Sequence, residues 1–201
     1  MKNIYLLAII CSAVVTTSVF AEEKCTYAYS PKQTSLEWTA FKFTEKTGIK
    51  GKFDSIQVNK TKAGATILDS VKDLSFKIAI ASINSNLPYR DEKIKKFFFG
   101  SVKNGKEFKG SFSEIKGTNT GSAKLDLEFA GVKKSIPVQF TIKENTVEVA
   151  GSLDVLDFGL KSGLSRLNEE CRDLHKGADG TSKLWPNVDF KIVSTLDKVC
   201  K

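Results

Sequence analysis

Past an opening apolar run, the chain alternates apolar and polar residues with a period of two. Leu125, Leu127 and Phe129 alternate with Lys124, Asp126 and Glu128, and Val138, Phe140 and Ile142 with Gln139, Thr141 and Lys143. Phe76, Ile78 and Ile80 keep the same spacing, as do Val147, Val149, Leu153 and Val155 across Gly151, where a bulge or a change of parity is expected. Neighbouring residues of a strand face opposite ways, so this pattern predicts strands with one buried and one wet face. Further strands are expected at 36–43, 49–58, 107–115 and 188–196, with a short one at 26–29. Turn signals at Asn104-Gly105, at Lys116 to Asn119 and at Gly131 separate them.

Two stretches break the rhythm. Pro88 to Phe99 reads as a helix, with proline near its start and Asp91 and Glu92 in its first turn. Leu164 to Lys176 reads as a second, with Gly177 placed to stop it. About eight two-faced strands joined mostly by hairpins make an all-β fold, a closed antiparallel barrel in preference to a sandwich, with one or two short helices. A barrel of that size is either filled by its own side chains or keeps room for one ligand. The chain has 14 phenylalanines against 4 tyrosines, and rings without hydroxyls suit a dry interior.

The opening run changes the picture of where the protein works. Lys2, the apolar residues 4–15 and the small-residue motif Val19-Phe20-Ala21 read as a signal peptide cut after Ala21, with residues 22–201 as one mature domain. A lipid anchor at Cys11 is the alternative, but Ile10 stands where such a site needs a small residue. Export to the periplasm permits disulfides, and of Cys25, Cys171 and Cys200 one thiol is left over. Cys25 with Cys200 would tie the first and last strands together; Cys171 with Cys200 is the rival pairing. The formal charge is +8 for the whole chain. Its lysines are scattered among strand faces instead of gathered in a patch, which speaks against nucleic acid and leaves room for transient contact with an acidic membrane surface. The oligomeric state stays open, a homodimer included.

Residues for chemistry are scarce. His175 is the single histidine, placed on a polar, solvated helix end, and no base stands obviously beside a nucleophile. The pairs Glu169-Glu170 and Asp91-Glu92 point apart on their helices. Gly100, Gly105 and Gly110 read as turn glycines at strand edges, not as a phosphate loop. No catalytic site, metal site or cofactor motif emerges, and Cys171 is the sole foothold for thiol chemistry.

Four stretches in order resemble the YceI-like, lipid/polyisoprenoid-binding family. They are Ser35-Leu36-Glu37-Trp38 with Gly48 to Phe53; Ser82-Ile83-Asn84 with Arg90-Asp91 and Phe97-Phe98; Gly131-Val132 with Pro137-Val138; and Asp157-Phe158-Gly159-Leu160. The chain departs from the pattern in lacking a histidine after Trp38, in Glu92-Lys93-Ile94 after Asp91, in Gly100 after Phe99, and in the helix carrying Cys171. The resemblance implies an eight-stranded antiparallel lipocalin-like barrel with a long apolar channel and an isoprenoid, isoprenoid quinone or fatty-acid derivative inside. Each buried five-carbon unit would contribute roughly 3–4 kcal/mol before entropy costs. Strand parity nominates Trp38, Phe53, Phe76, Ile78, Ile80, Leu127, Phe129, Phe140 and Phe190 as its walls. Phe97 and Phe98 would line it from the helix as a plug or gate, and Arg90, Lys93 and Lys96 would meet a headgroup. The rival reading is a structural or stress-response barrel with a filled core.

Overall fold

The computed structural model describes residues 23–201; the expected signal peptide and cleavage after Ala21 lie outside the described residues. Twelve strands carry the fold: β1 (Cys25–Ala28), β2 (Thr34–Lys42), β3 (Thr47–Phe53), β4 (Gln57–Asn59), β5 (Ser75–Ala79), β6 (Ile83–Asn84), β7 (Glu107–Gly117), β8 (Thr120–Phe129), β9 (Val132–Lys143), β10 (Thr146–Asp154), β11 (Leu184–Thr195) and β12 (Asp197–Cys200). Ten of them form one sheet in the order β4-β5-β7-β8-β9-β10-β11-β2-β3-β6, antiparallel throughout.

The two ends of that order are the same two chain segments. β3 runs on into β4 and β5 into β6, while β4 pairs with β5 and β3 with β6. Between the two paired stretches the Asp54 amide donates to the Ser82 carbonyl at 2.9 Å. The sheet therefore closes into a ring of eight staves, two of them interrupted. The single strand expected over 49–58 is one such stave, broken at 54–56. On its neighbour, the 3-10 turn Ile80–Ser82 takes up the extra length, so Ile80 stands beyond the end of β5, still buried in phase with Phe76 and Ile78.

Local chemistry sets the turns. Between β8 and β9, Ala130 and Gly131 both have positive φ (51° and 85°), the backbone that matches the twist of a two-residue hairpin. Gly151 carries no bulge: β10 pairs in register through it with β11 and up to it with β9, and Val147, Val149 and Leu153 stay on one face. The irregularities fall instead in β7 between Ser113 and Lys116 and in β11 between Leu184 and Val188.

β1 and β12 do not close the barrel seam. Apart from a single bridge between Tyr27 and Gly64, they pair with each other, as a ribbon joined by the Cys25–Cys200 disulfide. Helix α1 (Ile67–Val71), capped by the Thr66 hydroxyl, ties this ribbon down, for Ser70 Oγ donates to the Tyr27 carbonyl at 2.8 Å. At the other end lie α2 (Pro88–Lys93), a π-helical turn at Ile94–Phe98, a 3-10 turn at Phe99–Ser101, and α3 (Lys161–Glu170). The second helix thus begins three residues before its expected start and breaks at Cys171, with a 3-10 turn at Arg172–His175 in place of its last part.

A two-chambered apolar interior

Buried or partly buried residues of every stave meet inside the ring, yet they leave space. One cavity of about 180 Å³ lies under α3 and the π-helical turn, walled by Trp38, Phe53, Leu127, Phe190, Phe98, Leu164 and others. A second, of about 100 Å³, lies toward the ribbon and α1, walled by Phe112, Phe140, Val147, Val149, Leu68 and Tyr29 among others. Leu36, Phe76, Ile78 and Ile192 belong to both walls, so the chambers adjoin at a waist. Nearly all of the lining is carbon.

Four aromatic rings show why the middle stays open. Trp38, Phe76, Phe140 and Phe190 each face a glycine as cross-strand partner: Gly51, Gly110, Gly121 and Gly151. A Cβ added at these glycines would lie 2.1 Å from Trp38, 2.4 Å from Phe76, 2.8 Å from Phe140 and 2.7 Å from Phe190. The rings fold down onto the bare glycine backbone instead of standing out toward the axis. Glycine weakens a strand by leaving nothing to pack, and here the neighbouring ring covers it. Gly110 is accordingly no turn residue but sits within β7.

Phe99, Phe108 and Phe129 do the opposite. Ring centroids lie 4.6 Å apart for Phe108 and Phe129 and 5.6 Å apart for Phe99 and Phe129, which fills this sector. Of the expected wall residues, Trp38, Phe53, Phe76, Ile78, Phe98, Leu127 and Phe190 line the larger chamber, and Phe140 the smaller. Three do not reach either chamber. Phe129 is fully buried in the aromatic cluster, Ile80 is buried in the core at its 3-10 turn, and Phe97 lies outside beneath lysines. Leu36, Leu125 and Ile192 share parity with residues already nominated, so alternation alone could have found them. Leu164 and Leu167 of α3 needed the tertiary fold.

The π-helical turn sorts the three consecutive phenylalanines. Phe99 enters the aromatic cluster, Phe98 walls the larger chamber, and Phe97 turns to the surface, where Lys96 Nζ sits 5.0 Å and Lys93 Nζ 5.9 Å from its centroid. Lys93 also approaches the Tyr89 ring at 5.1 Å and donates to the Glu170 carbonyl at 3.1 Å. Arg90 is held by Ser85: its Nε donates to Ser85 Oγ at 2.7 Å. Buried Asp91 accepts from the Ser85 amide at 2.9 Å, so the two residues fasten α2 to the end of β6. Beside them Leu87 and Tyr89 are 54% and 66% exposed.

Other groups stay quiet chemically. Cys171 is a buried free thiol whose pKa burial pushes up, away from the thiolate. His175 is half-buried, not solvated: its Nδ1 faces Asn168 Oδ1 at 3.1 Å, and burial together with Lys42 and Lys93 lowers its pKa to about 4. Among the described residues, the candidate metal-ligating cluster is Glu23 with Cys25 and Cys200, whose sulfurs are joined to each other. No described helix is long and apolar enough to cross a membrane.

Comparison with known proteins agrees with this architecture. The model of the YceI-like domain matches residues 27–192. No curated protein matches the chain in sequence. Among solved structures, a polyisoprenoid binding domain from Saccharophagus degradans implicated in plant cell wall breakdown superposes with a TM-score of 0.57 at 13% identity, over 85% of this chain and 97% of that one. BcnA of Burkholderia cenocepacia gives 0.60 at 13% identity, over 84% and 99%. The Campylobacter jejuni YceI protein gives 0.54 at 17% identity, over 80% and 89%. With a family match that spans most of the described residues, the chain belongs to the YceI-like domain family.

Proposed function

We propose that this protein is an exported, periplasmic carrier that holds one long-chain apolar lipid in its barrel and catalyses no reaction. The observation that carries the reading is the pair of adjoining carbon-walled chambers, kept hollow by rings folded onto glycines. Such a space gains affinity from apolar burial and needs few hydrogen bonds. The similar domain from Saccharophagus degradans is a polyisoprenoid binding domain, which supports a polyisoprenoid as the ligand; an isoprenoid quinone or fatty-acid derivative would use the same apolar space. The Cys25–Cys200 disulfide accords with an oxidising compartment. Exposed Leu87 and Tyr89 with Lys93 and Lys96 at the helical end form an amphipathic rim suited to brief contact with acidic headgroups, of the ligand or of the membrane.

Native mass spectrometry of the protein purified from its own host, followed by lipid extraction, tests this. The expected result is a mass increment released by organic solvent and matching one lipid per chain. Protein that emerges free of lipid and takes up no added isoprenoid would end the proposal.

A further inference from the structure

The larger chamber is covered by a cap that cations help to fasten. Leu164 and Leu167 of α3 form part of its wall, so lifting this helix would open it. α3 breaks at Cys171, and a helix end leaves carbonyls without intrahelical donors. Lysines from two other elements supply them. Lys93 of α2 donates to the Glu170 carbonyl at 3.1 Å, and Lys42 at the end of β2 donates to the Leu174 carbonyl at 2.8 Å. Cations at this position also suit the negative end of the helix dipole. At its other end α3 sits hard on the π-helical turn, for a Cβ at Gly163 would stand 2.3 Å from the Phe98 carbonyl oxygen. That end is fixed by close packing, whereas the Cys171 end is tied by exposed lysine side chains.

The surface around these two latches is amphipathic. Of the five large hydrophobic residues that stand exposed among the described residues, four lie at this end: Leu87 and Tyr89 at the start of α2, Leu156 in the 3-10 turn Val155–Phe158, and Leu174. Among the described residues, Lys42, Arg90, Lys93 and Lys96 make no ion pair. Glu92, Asp157 and Asp173 are engaged by Lys95, Lys134 and Lys176, which leaves Glu169 and Glu170 as the unpaired carboxylates beside the latches. Exposed apolar side chains beside unpaired cations fit an acidic bilayer, the former entering the headgroup layer and the latter meeting phosphates.

We propose that this end docks on an anionic bilayer and that docking opens the cap. Lipid phosphates draw Lys42 and Lys93 off the Leu174 and Glu170 carbonyls, and the C-terminal half of α3 lifts from the larger chamber. A charged acceptor binds an ammonium more strongly than a neutral carbonyl does. The attraction of an acidic surface fades within a Debye length, so opening is rare in free solution and frequent at the membrane. The inference rests on the lipid-carrier reading and adds where the carrier opens and what opens it.

Cys171 can report the cap, because this buried free thiol lies in the chain between the two latched carbonyls. The disulfide-bonded protein is mixed with phosphatidylcholine vesicles, with or without phosphatidylglycerol, and N-ethylmaleimide labelling of Cys171 is followed by peptide mass spectrometry. Vesicles containing phosphatidylglycerol should bind the protein and speed labelling about tenfold or more, while pure phosphatidylcholine does neither. Lys42→Ala and Lys93→Ala should each speed labelling in free solution by about three- to tenfold, the range of one net hydrogen bond. Leu87→Ser/Tyr89→Ser should weaken vesicle binding. Labelling as slow on anionic vesicles as in solution, or as slow in the lysine variants as in the parent, overturns the inference and leaves the carrier reading standing. A change with protein concentration alone also overturns it, by making a second copy the occupant of this face. Equilibrium uptake of a fluorescent fatty-acid probe, measured without vesicles, bears on the carrier reading instead, and its absence would defeat that reading whatever the labelling shows.

Discussion

Substituting Gly110 by alanine asks whether the interior is kept hollow by the fold. The added methyl would stand 2.4 Å from Phe76 Cζ and 2.9 Å from both Cε atoms, against an ordinary contact of 3.4–4 Å. The backbone cannot yield easily, because β5 and β7 are paired from Ser75↔Ser111 to Ala79↔Glu107. The ring tip must swing inward by about 1 Å, into the waist that Phe76 shares between the chambers. Overpacking a filled core costs about 1–3 kcal/mol, but here the displaced ring moves into empty space. Alanine also recovers roughly 0.5–1 kcal/mol of the entropy that glycine loses in a strand. The expected net destabilisation is about 0–1.5 kcal/mol. Lipid capacity should fall at least tenfold, because the obstruction lies on the chain's path. Urea unfolding followed by tryptophan fluorescence gives the first quantity and probe displacement the second. Phe76→Ala in the same chain should restore binding, and the double-mutant cycle isolates the pair. A loss of about 3 kcal/mol or more with lipid uptake intact would refute the reasoning, because only a solid core behaves that way.

Phe129→Ala should cost about 3–5 kcal/mol, since Phe129 is 0% exposed and packed between Phe99 and Phe108, while lipid uptake changes little; chemical denaturation beside a binding titration checks both. The depressed pKa of His175, about 4 against an ordinary 6.5, means that the unfolded chain takes up the proton first as pH falls. The contribution is fully present above pH 6.5 and is lost between 6.5 and 4, on the order of 1–2 kcal/mol after discounting for partial solvent access. His175→Asn should flatten that part of the stability profile, and an imidazole that titrates near 6.5 by NMR would contradict it. Paired Cys25→Ser and Cys200→Ser substitutions open a loop of sequence separation 175 and should lower stability by about 2–5 kcal/mol. The larger chamber, on the far side of the waist, should keep its ligand-dependent change in Trp38 fluorescence.

Much of the barrel was legible because alternation is imposed by water on one side and apolar packing on the other. Lys124, Asp126 and Glu128 betray the outward face of β8 without any knowledge of its neighbours, and Leu125 and Leu127 follow as wall residues. What stayed hidden depends on partners distant in sequence. A glycine in a strand reads as a bulge or a turn until the ring lying on it is known, as at Gly110 and Gly151. A run of three phenylalanines reads as one apolar block until a π-helical turn assigns each a different surrounding. The end of α3 at Cys171 was equally obscure, since the sequence there continues in helix-compatible residues and offers no glycine or proline before Gly177. Orphan hydroxyls such as that of Tyr29 are invisible to any pattern, for a missing partner is a property of three dimensions.

The ribbon has a practical consequence. Lys24 and Lys201 exchange backbone hydrogen bonds beside the Cys25–Cys200 bridge, so the two ends of the ribbon lie side by side, at the smaller chamber and not at the larger one that α3 and the π-helical turn cover. A fluorophore, affinity handle or surface linker attached to either lysine side chain would sit at that pole and leave the helical rim free to dock. Immobilising the protein through this handle would present every molecule with its rim outward, in a single orientation toward vesicles passed over the surface.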